Sequence, residues 1–248
     1  MSERRGGGLI EATAFTLVGV VILIGLGIWQ LDRKVWKENL VATIAARLAR
    51  APEPLPAPAE WPRLTPAADE YRHVTFPAEF LPEQGALVYT AGSAFRPDVQ
   101  GAGYWVFAPA RLAGGSIVVV DRGFVPADRK DAARAQGAPQ GVVDIVGVMR
   151  WPEAPGLFTP QHEPQNNVWY LRDSMAIATA KKWDATAPFY VEQEAPVPAG
   201  GLPKPGKLAV ALPDNHLQYA ITWFALALGL AGVYATWLAR RIGARAEG

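Results

Sequence analysis

At 248 residues, 50% of them hydrophobic, with a formal net charge of +1, the chain points to no polyanionic partner, and nucleic acid in particular is not expected. It has no cysteine and three methionines, which excludes disulfides, a C-x-x-C-H haem attachment and thiolate metal sites, and argues against a soft-ligand copper carrier.

In chain order, 1–11 is short and carries Arg4 and Arg5, and the run from Ala12 to Leu31 has no charged residue. That run meets the roughly 20 residues that a helix needs to cross the hydrocarbon core, and it has no polar face. A cleaved signal peptide would also start basic. Here Gly25-Leu26-Gly27-Ile28-Trp29-Gln30 offers no small-x-small cleavage signal and flows on into helix-like sequence, so an uncleaved anchor is expected. Val35 to Arg50 places Leu40, Ile44 and Leu48 four apart, a helical period that extends the first span outward. Ala51 to Pro66 carries Pro52, Pro54, Pro56, Pro58, Pro62 and Pro66, which predicts an extended linker.

Strands follow, short and rich in valine and aromatics: Arg72 to Phe80, Ala86 to Thr90, Tyr104 to Phe107, Ile117 to Asp121, Val142 to Arg150, Val168 to Arg172 and Phe189 to Gln193. Two short helices are predicted, near Ala127 to Gln136 and Ser174 to Lys182. A second uncharged run, Leu217 to Ala239, precedes Arg240, Arg241 and Arg245. The bias of basic residues puts both termini, 1–11 and 240–248, in the cytoplasm. Arg33, Lys34 and Lys37 oppose this and are partly offset by Asp32 and Glu38. The expected fold is an α+β membrane protein. Two transmembrane helices (12–31 and 217–239) flank an extracytoplasmic, mainly antiparallel β domain (32–216), a sandwich or partly closed barrel with short helices.

Of the three histidines, His73 and His162 have no metal-ligand partner at a useful spacing and read as ordinary hydrogen-bonded residues. His216 follows Pro213-Asp214-Asn215, a helix start with Asp214 or Asn215 as cap, and opens the second span. Tyr219 and Trp223 fall on its face of the helix. An imidazole at the positive end of a helix disfavours its charged form, and a neutral ring beside aromatic faces is a credible axial ligand for haem iron. An interfacial belt of Tyr and Trp accounts for the same residues. The first span closes similarly, with Trp29, Arg33 and Trp36 on one face. Gly25 and Gly27, with Ala225, Gly229 and Gly232, would let the two helices approach. A flat cofactor between the outer ends would bring Arg33 to its carboxylates; a belt with snorkelling cations is the alternative. No nucleophile elbow, P-loop, G-x-G-x-x-G or H-E-x-x-H motif occurs.

Five ordered blocks resemble the Surfeit locus protein 1 family: Leu26 to Lys37 (LGIWQLDRKVWK), Gly101 to Pro109 (GAGYWVFAP), Val118 to Pro126 (VVVDRGFVP), Asn167 to Asp173 (NVWYLRD) and Asn215 to Phe224 (NHLQYAITWF). Asp121 stands where the family pattern has Asn, and Phe124 where it has Trp. The resemblance implies a non-enzymatic assembly factor for haem-copper cytochrome c oxidase in a bacterial inner membrane, with its central domain periplasmic. It implies haem a as cofactor, received from haem a synthase and passed to the oxidase core subunit, with His216 on the iron. Tyr219, Trp223, Trp29 and Arg33 would line the site, and Arg122 is a further candidate for a propionate. The remaining partner is membrane lipid. The alternative function is a cofactor-free scaffold for the nascent core subunit, acting through an open sheet edge. A tethered hydrolase would require Asp121, Arg122, Asp173 and His162 to meet in one cleft.

Overall fold

Two helices dominate the ends of the chain: α1, Arg4–Leu48, and a terminal helix, His216–Ala246. Each contains an uncharged apolar run, Ala12 to Leu31 in one and Leu217 to Ala239 in the other, and both are long and apolar enough to cross a membrane. Away from their mutual contact their apolar side chains are largely exposed, Phe15 at 78% and Leu228 at 75% among them, a surface that water would not tolerate on two bare helices. The computed structural model describes residues 4–82, 85–93, 95–131, 137–209 and 214–246. The chain divides into two compact units, Met1–Ala42 with Pro213–Gly248, and Thr43–Leu212.

In the first unit the two helices run antiparallel. Thr13 and Tyr234 share a hydroxyl hydrogen bond at one end, and Gln30 meets His216 at the other. These two contacts lie about 26 Å apart along α1 at ~1.5 Å per residue, close to the thickness of a hydrocarbon core. Between them Gly27 seats the ring of Phe224, whose Cε1 would lie 2.5 Å from an added Cβ, and Ala220 and Ala227 are buried. Of the small residues read as a contact stripe, Gly27 makes the contact. Gly25, Gly229 and Gly232 face open space and Ala225 is exposed, because they lie off the helical phase set by Gly27 and Ala227.

The second unit is β-rich. Its strands are β1 Glu53–Pro54, β2 His73–Phe80, β3 Ala86–Gly92, β4 Gln100–Arg111, β5 Ile117–Pro126, β6 Val142–Arg150, β7 Val168–Trp169 and β8 Thr186–Ala195. They form one sheet in the order β1-β2-β6-β8-β5-β4-β3-β7, and β2 pairs again with β4. The expected sandwich or partly closed barrel is thus a closed barrel of β2, β6, β8, β5 and β4. The β2–β4 closure is brief, Glu79 opposite Arg111 and Phe80 opposite Ala110. Beyond it the Leu81 N–H still meets the Pro109 carbonyl, and from Ala86 β3 continues along β4, so β2 and β3 follow one another along the same neighbour. The circuit is antiparallel except for β5 with β8. A five-stranded Greek-key barrel with this parallel seam has the connectivity of an OB-fold.

Alternation along each strand sorts side chains into two layers. Val74, Phe76, Ala110, Val118, Val120, Ile145, Phe189 and Val191 fill the barrel, joined by Trp61. Outside it, Val88, Trp105, Val119 and Tyr190 pack against Trp169, Ile177 and Trp183. The proline-rich segment is more than a linker. It contains β1 and a 3-10 turn, Pro58–Arg63, that inserts Trp61 edge-on to Phe189, since proline's fixed φ suits the start of such a turn. The helix expected near Ser174 is Ser174–Lys181, here α3 after the short α2, Pro66–Asp69. The His216–Ala246 helix is α4. Of the helix expected at Ala127 to Gln136, a 3-10 turn covers Ala127–Arg129; residues 132–136 lie outside the described residues.

Candidate functional site

Asp214 opens α4 by accepting the backbone N–H of His216 at 2.9 Å on Oδ1, which places the imidazole in the first helical turn. His216 is half-buried, and its Nδ1 lies 2.7 Å from Oε1 of Gln30 on α1. An amide oxygen can only accept, so this contact selects the tautomer with hydrogen on Nδ1 and the lone pair on Nε2. Nε2 has no hydrogen-bond partner among the described residues. Such a ring, oriented through one nitrogen and open at the other, is the arrangement that second-shell acceptors impose on metal-binding histidines.

Trp223 lies two turns along α4 on the same side, half-buried. Its indole Nε1 is enclosed and unpartnered among the described residues. Tyr219 is 55% exposed and turned toward the flank of the helix pair. On α1 the contact with α4 falls on Gly27 and Gln30. Trp29 and Arg33 sit about 100° around the helix from that line. Trp29 is 56% exposed, and the Arg33 guanidinium stacks over Trp36 at 3.8 Å from the ring centre. The structure therefore joins His216 to Gln30 and keeps Trp29 and Arg33 on a neighbouring exposed face. Gln30, the partner that sequence reasoning did not single out, had a signal: it is a polar residue in the last turn of an otherwise apolar run.

In the second unit, His73 holds the Arg50 carbonyl at 3.0 Å and the Glu194 carboxylate at 2.8 Å. His162 accepts from the Tyr170 N–H at 3.2 Å and lies against Trp169. Asp173 caps α3, accepting from Met175 and Ala176. Asp121 and Arg122 follow one another on β5 and point to opposite faces. Asp121 is fully buried outside the barrel, opposite Glu192 across the parallel seam. Arg122 points the other way, toward a cavity at the barrel end. These residues do not share a cleft.

The outer layer holds a charge network that sequence reasoning missed. Glu192, 1% exposed, accepts from Arg150 and Arg172 through one carboxylate oxygen, at 3.3 and 3.2 Å. Arg172 also covers Trp105 at 4.5 Å. Asp121 receives the Gly123 N–H at 3.0 Å on Oδ1, while its Oδ2 is unpartnered among the described residues. Burial first, and then the charge of Glu192, push the Asp121 carboxyl up to about 7. Arg96, fully buried, forks onto Asp98 at 2.8 and 2.9 Å and reaches the Gly206 carbonyl at 3.3 Å. Among the described residues no cluster of three or more His, Asp or Glu forms a metal site.

Comparison with known proteins places this architecture. Residues 17–228 match the SURF1 family. The chain is 35% identical over 238 residues to a SURF1-like protein of Monosiga brevicollis, covering 91% of this chain and 85% of that protein. It is 33% identical over 229 residues to Surfeit locus protein 1 of Rattus norvegicus, covering 88% and 69% of the two chains. Against Surfeit locus protein 1 of Homo sapiens it is 32% identical over 231 residues, covering 88% and 71%.

Proposed function

The chain belongs to the SURF1 family, and on that premise we propose that it is a membrane-anchored assembly factor for a haem-copper oxidase, carrying haem a as cargo on His216. Both termini lie in the cytoplasm of a bacterial cell in this reading, and the barrel faces the periplasm. Haem a synthase supplies the cargo and the oxidase core subunit receives it.

The observation that carries the proposal is the Gln30–His216 contact, which fixes the imidazole and leaves Nε2 as a free donor of an electron pair. Tyr219, Trp223 and Trp29 supply aromatic surface at the same end of the helix pair, and Arg33 a cation for propionates. Arg33 and Trp29 would be met from the flank, and His216 from the helix seam. A single protein ligand on an open flank suits a carrier, which must release what it holds.

The test is purification of the full chain with haem a and an absorption spectrum. His216→Ala is expected to abolish the Soret band, and Gln30→Leu to weaken binding by about tenfold through loss of ring orientation. An unchanged band and stoichiometry in His216→Ala would remove the haem reading. A cofactor-free scaffold is the second reading, favoured by one observation: Leu157 and Phe158, 98% and 95% exposed, form an apolar tip on the barrel unit. Oxidase assembly that survives His216→Ala but fails in Leu157→Ser with Phe158→Ser would select it.

A further inference from the structure

We propose that the end of the barrel, where β2 breaks before β3, is a second binding site, one for an amphiphilic anion: a carboxylate or phosphate head on an apolar body, anchored by Arg122.

The cavity there has a volume of about 630 Å³, within the range of small-molecule sites. Phe80, Leu87, Val106 and Val125 give it apolar walls, and Tyr104 and Lys130 stand at its side with the ammonium 4.7 Å from the phenol ring centre. Arg122 lines it from β5, on the face of the strand that carries Val118 and Val120 into the barrel. Its side chain is 5% exposed and lies over the Phe80 ring at 5.4 Å. It makes no hydrogen bond or ion pair among the described residues. Glu79 also lines the cavity but is exposed and forms no ion pair with it.

An arginine cannot shed its charge, and it presents five N–H donors in a planar fork. The other buried arginines of the barrel unit satisfy that demand. For Arg96, Arg150 and Arg172 burial acts downward, but neighbouring acidic groups outweigh it: Asp98 for the first, Tyr190 and Glu192 for the others. Each is held above the usual guanidinium range. For Arg122 burial acts without offset and lowers it to about 10, so it remains a cation at neutral pH. Buried unpaired cations are costly and are kept where a ligand completes them. An oxyanion bridging Arg122 supplies the missing acceptors, and Phe80, Leu87, Val106 and Val125 offer an apolar body its contact surface. A nucleic acid would need a row of cations and stacking platforms; the described lining has two cations, Arg122 and Lys130, and Lys130 is set against the ring of Tyr104.

The site belongs to the barrel unit and does not depend on His216. Its test uses the full chain in phosphatidylcholine nanodiscs, labelled by a diazirine-bearing decanoate and, as the neutral control, by the matching alcohol. Cross-links on the peptides holding Leu87 and Val106 are expected to be at least about fivefold stronger with the acid. Unlabelled decanoate and decyl phosphate should compete, and their relative strength assigns the head group. Arg122→Met should erase the preference for acid over alcohol, and Leu87→Trp should block labelling with Arg122 intact. Without probe, Arg122→Met is expected to melt at or above the temperature of the parent chain, since it removes an unpaired charge. Equal labelling by acid and alcohol, equal competition by inorganic phosphate, or a lower melting temperature for Arg122→Met would each overturn the proposal. The last would mean that Arg122 has a structural partner.

Discussion

Asp121 and Glu192 face one another across the β5–β8 seam, two acids where two valines would be cheaper to bury. Glu192 holds two guanidinium groups, but Asp121 has one backbone donor and is pushed up to about 7. As pH rises from the ordinary carboxylate range through that value, the folded chain keeps a proton that the unfolded chain has lost. The stability associated with the neutral acid is present at low pH and disappears over this window. Asn, which keeps the shape without the charge, is therefore expected at position 121 to raise Tm at roughly pH 8, by a gain on the order of 2 kcal/mol, and to change it least at or below about pH 4, where both states of Asp121 hold the proton. Thermal melts of Asp121→Asn across that range check the sign; a variant less stable at high pH would show that the ionised acid is satisfied. The sequence displayed this residue in its VVVDRGFVP run, and the family resemblance marked it as a departure from Asn. It could not display the partner, because Glu192 comes from the far end of the domain.

At the scale of elements, local patterns carried most of the information. The apolar runs gave α1 and α4, the spacing of Leu40, Ile44 and Leu48 carried α1 outward, and α3 lies where a short helix was expected, while its Asp173 cap was not read from the sequence. What local pattern lacks is the identity of neighbours. Gln30 and His216 are adjacent in space through the antiparallel register of two helices, and the proline run looked extended because the hole that Trp61 fills is made by other strands. Gly123 shows how tightly one strand is fixed. Its φ is +115°, and an added Cβ would lie 2.2 Å from the Lys204 carbonyl oxygen, whose residue pairs on both sides with Phe124. Gly123→Ala is thus expected to cost about 2–4 kcal/mol, through strain plus displacement of the 204–206 segment. A fall in Tm with loss of exchange protection at Phe124 and Lys204 is the measurement.

For the whole molecule, fold and function separate. The barrel circuit is one that other proteins use for oligonucleotides or oligosaccharides, and a shared circuit does not carry a shared ligand. Closure was the feature least legible from sequence, because short strands announce themselves but not their partners, and β2 meets β4 in two residue pairs, followed by the Leu81 N–H on the Pro109 carbonyl. Protection should follow the circuit. Amides of β5 and β8, bonded on both sides, are expected to exchange slowest, and the two-residue edges β1 and β7 fastest. Hydrogen-exchange mass spectrometry of the full chain reads this directly, and uniform protection across edges and seam would contradict it.

The same seam sets a schedule for birth. A nascent chain leaves the ribosome with β2, β4, β5 and β6 in hand, yet the ring stays open until its last member, ending at Ala195, has emerged. Until then β5 and β6 each show an unpaired edge, the kind that invites pairing with the wrong chain. Because that last member comes shortly before the second long apolar helix, the barrel closes only as that helix is being made.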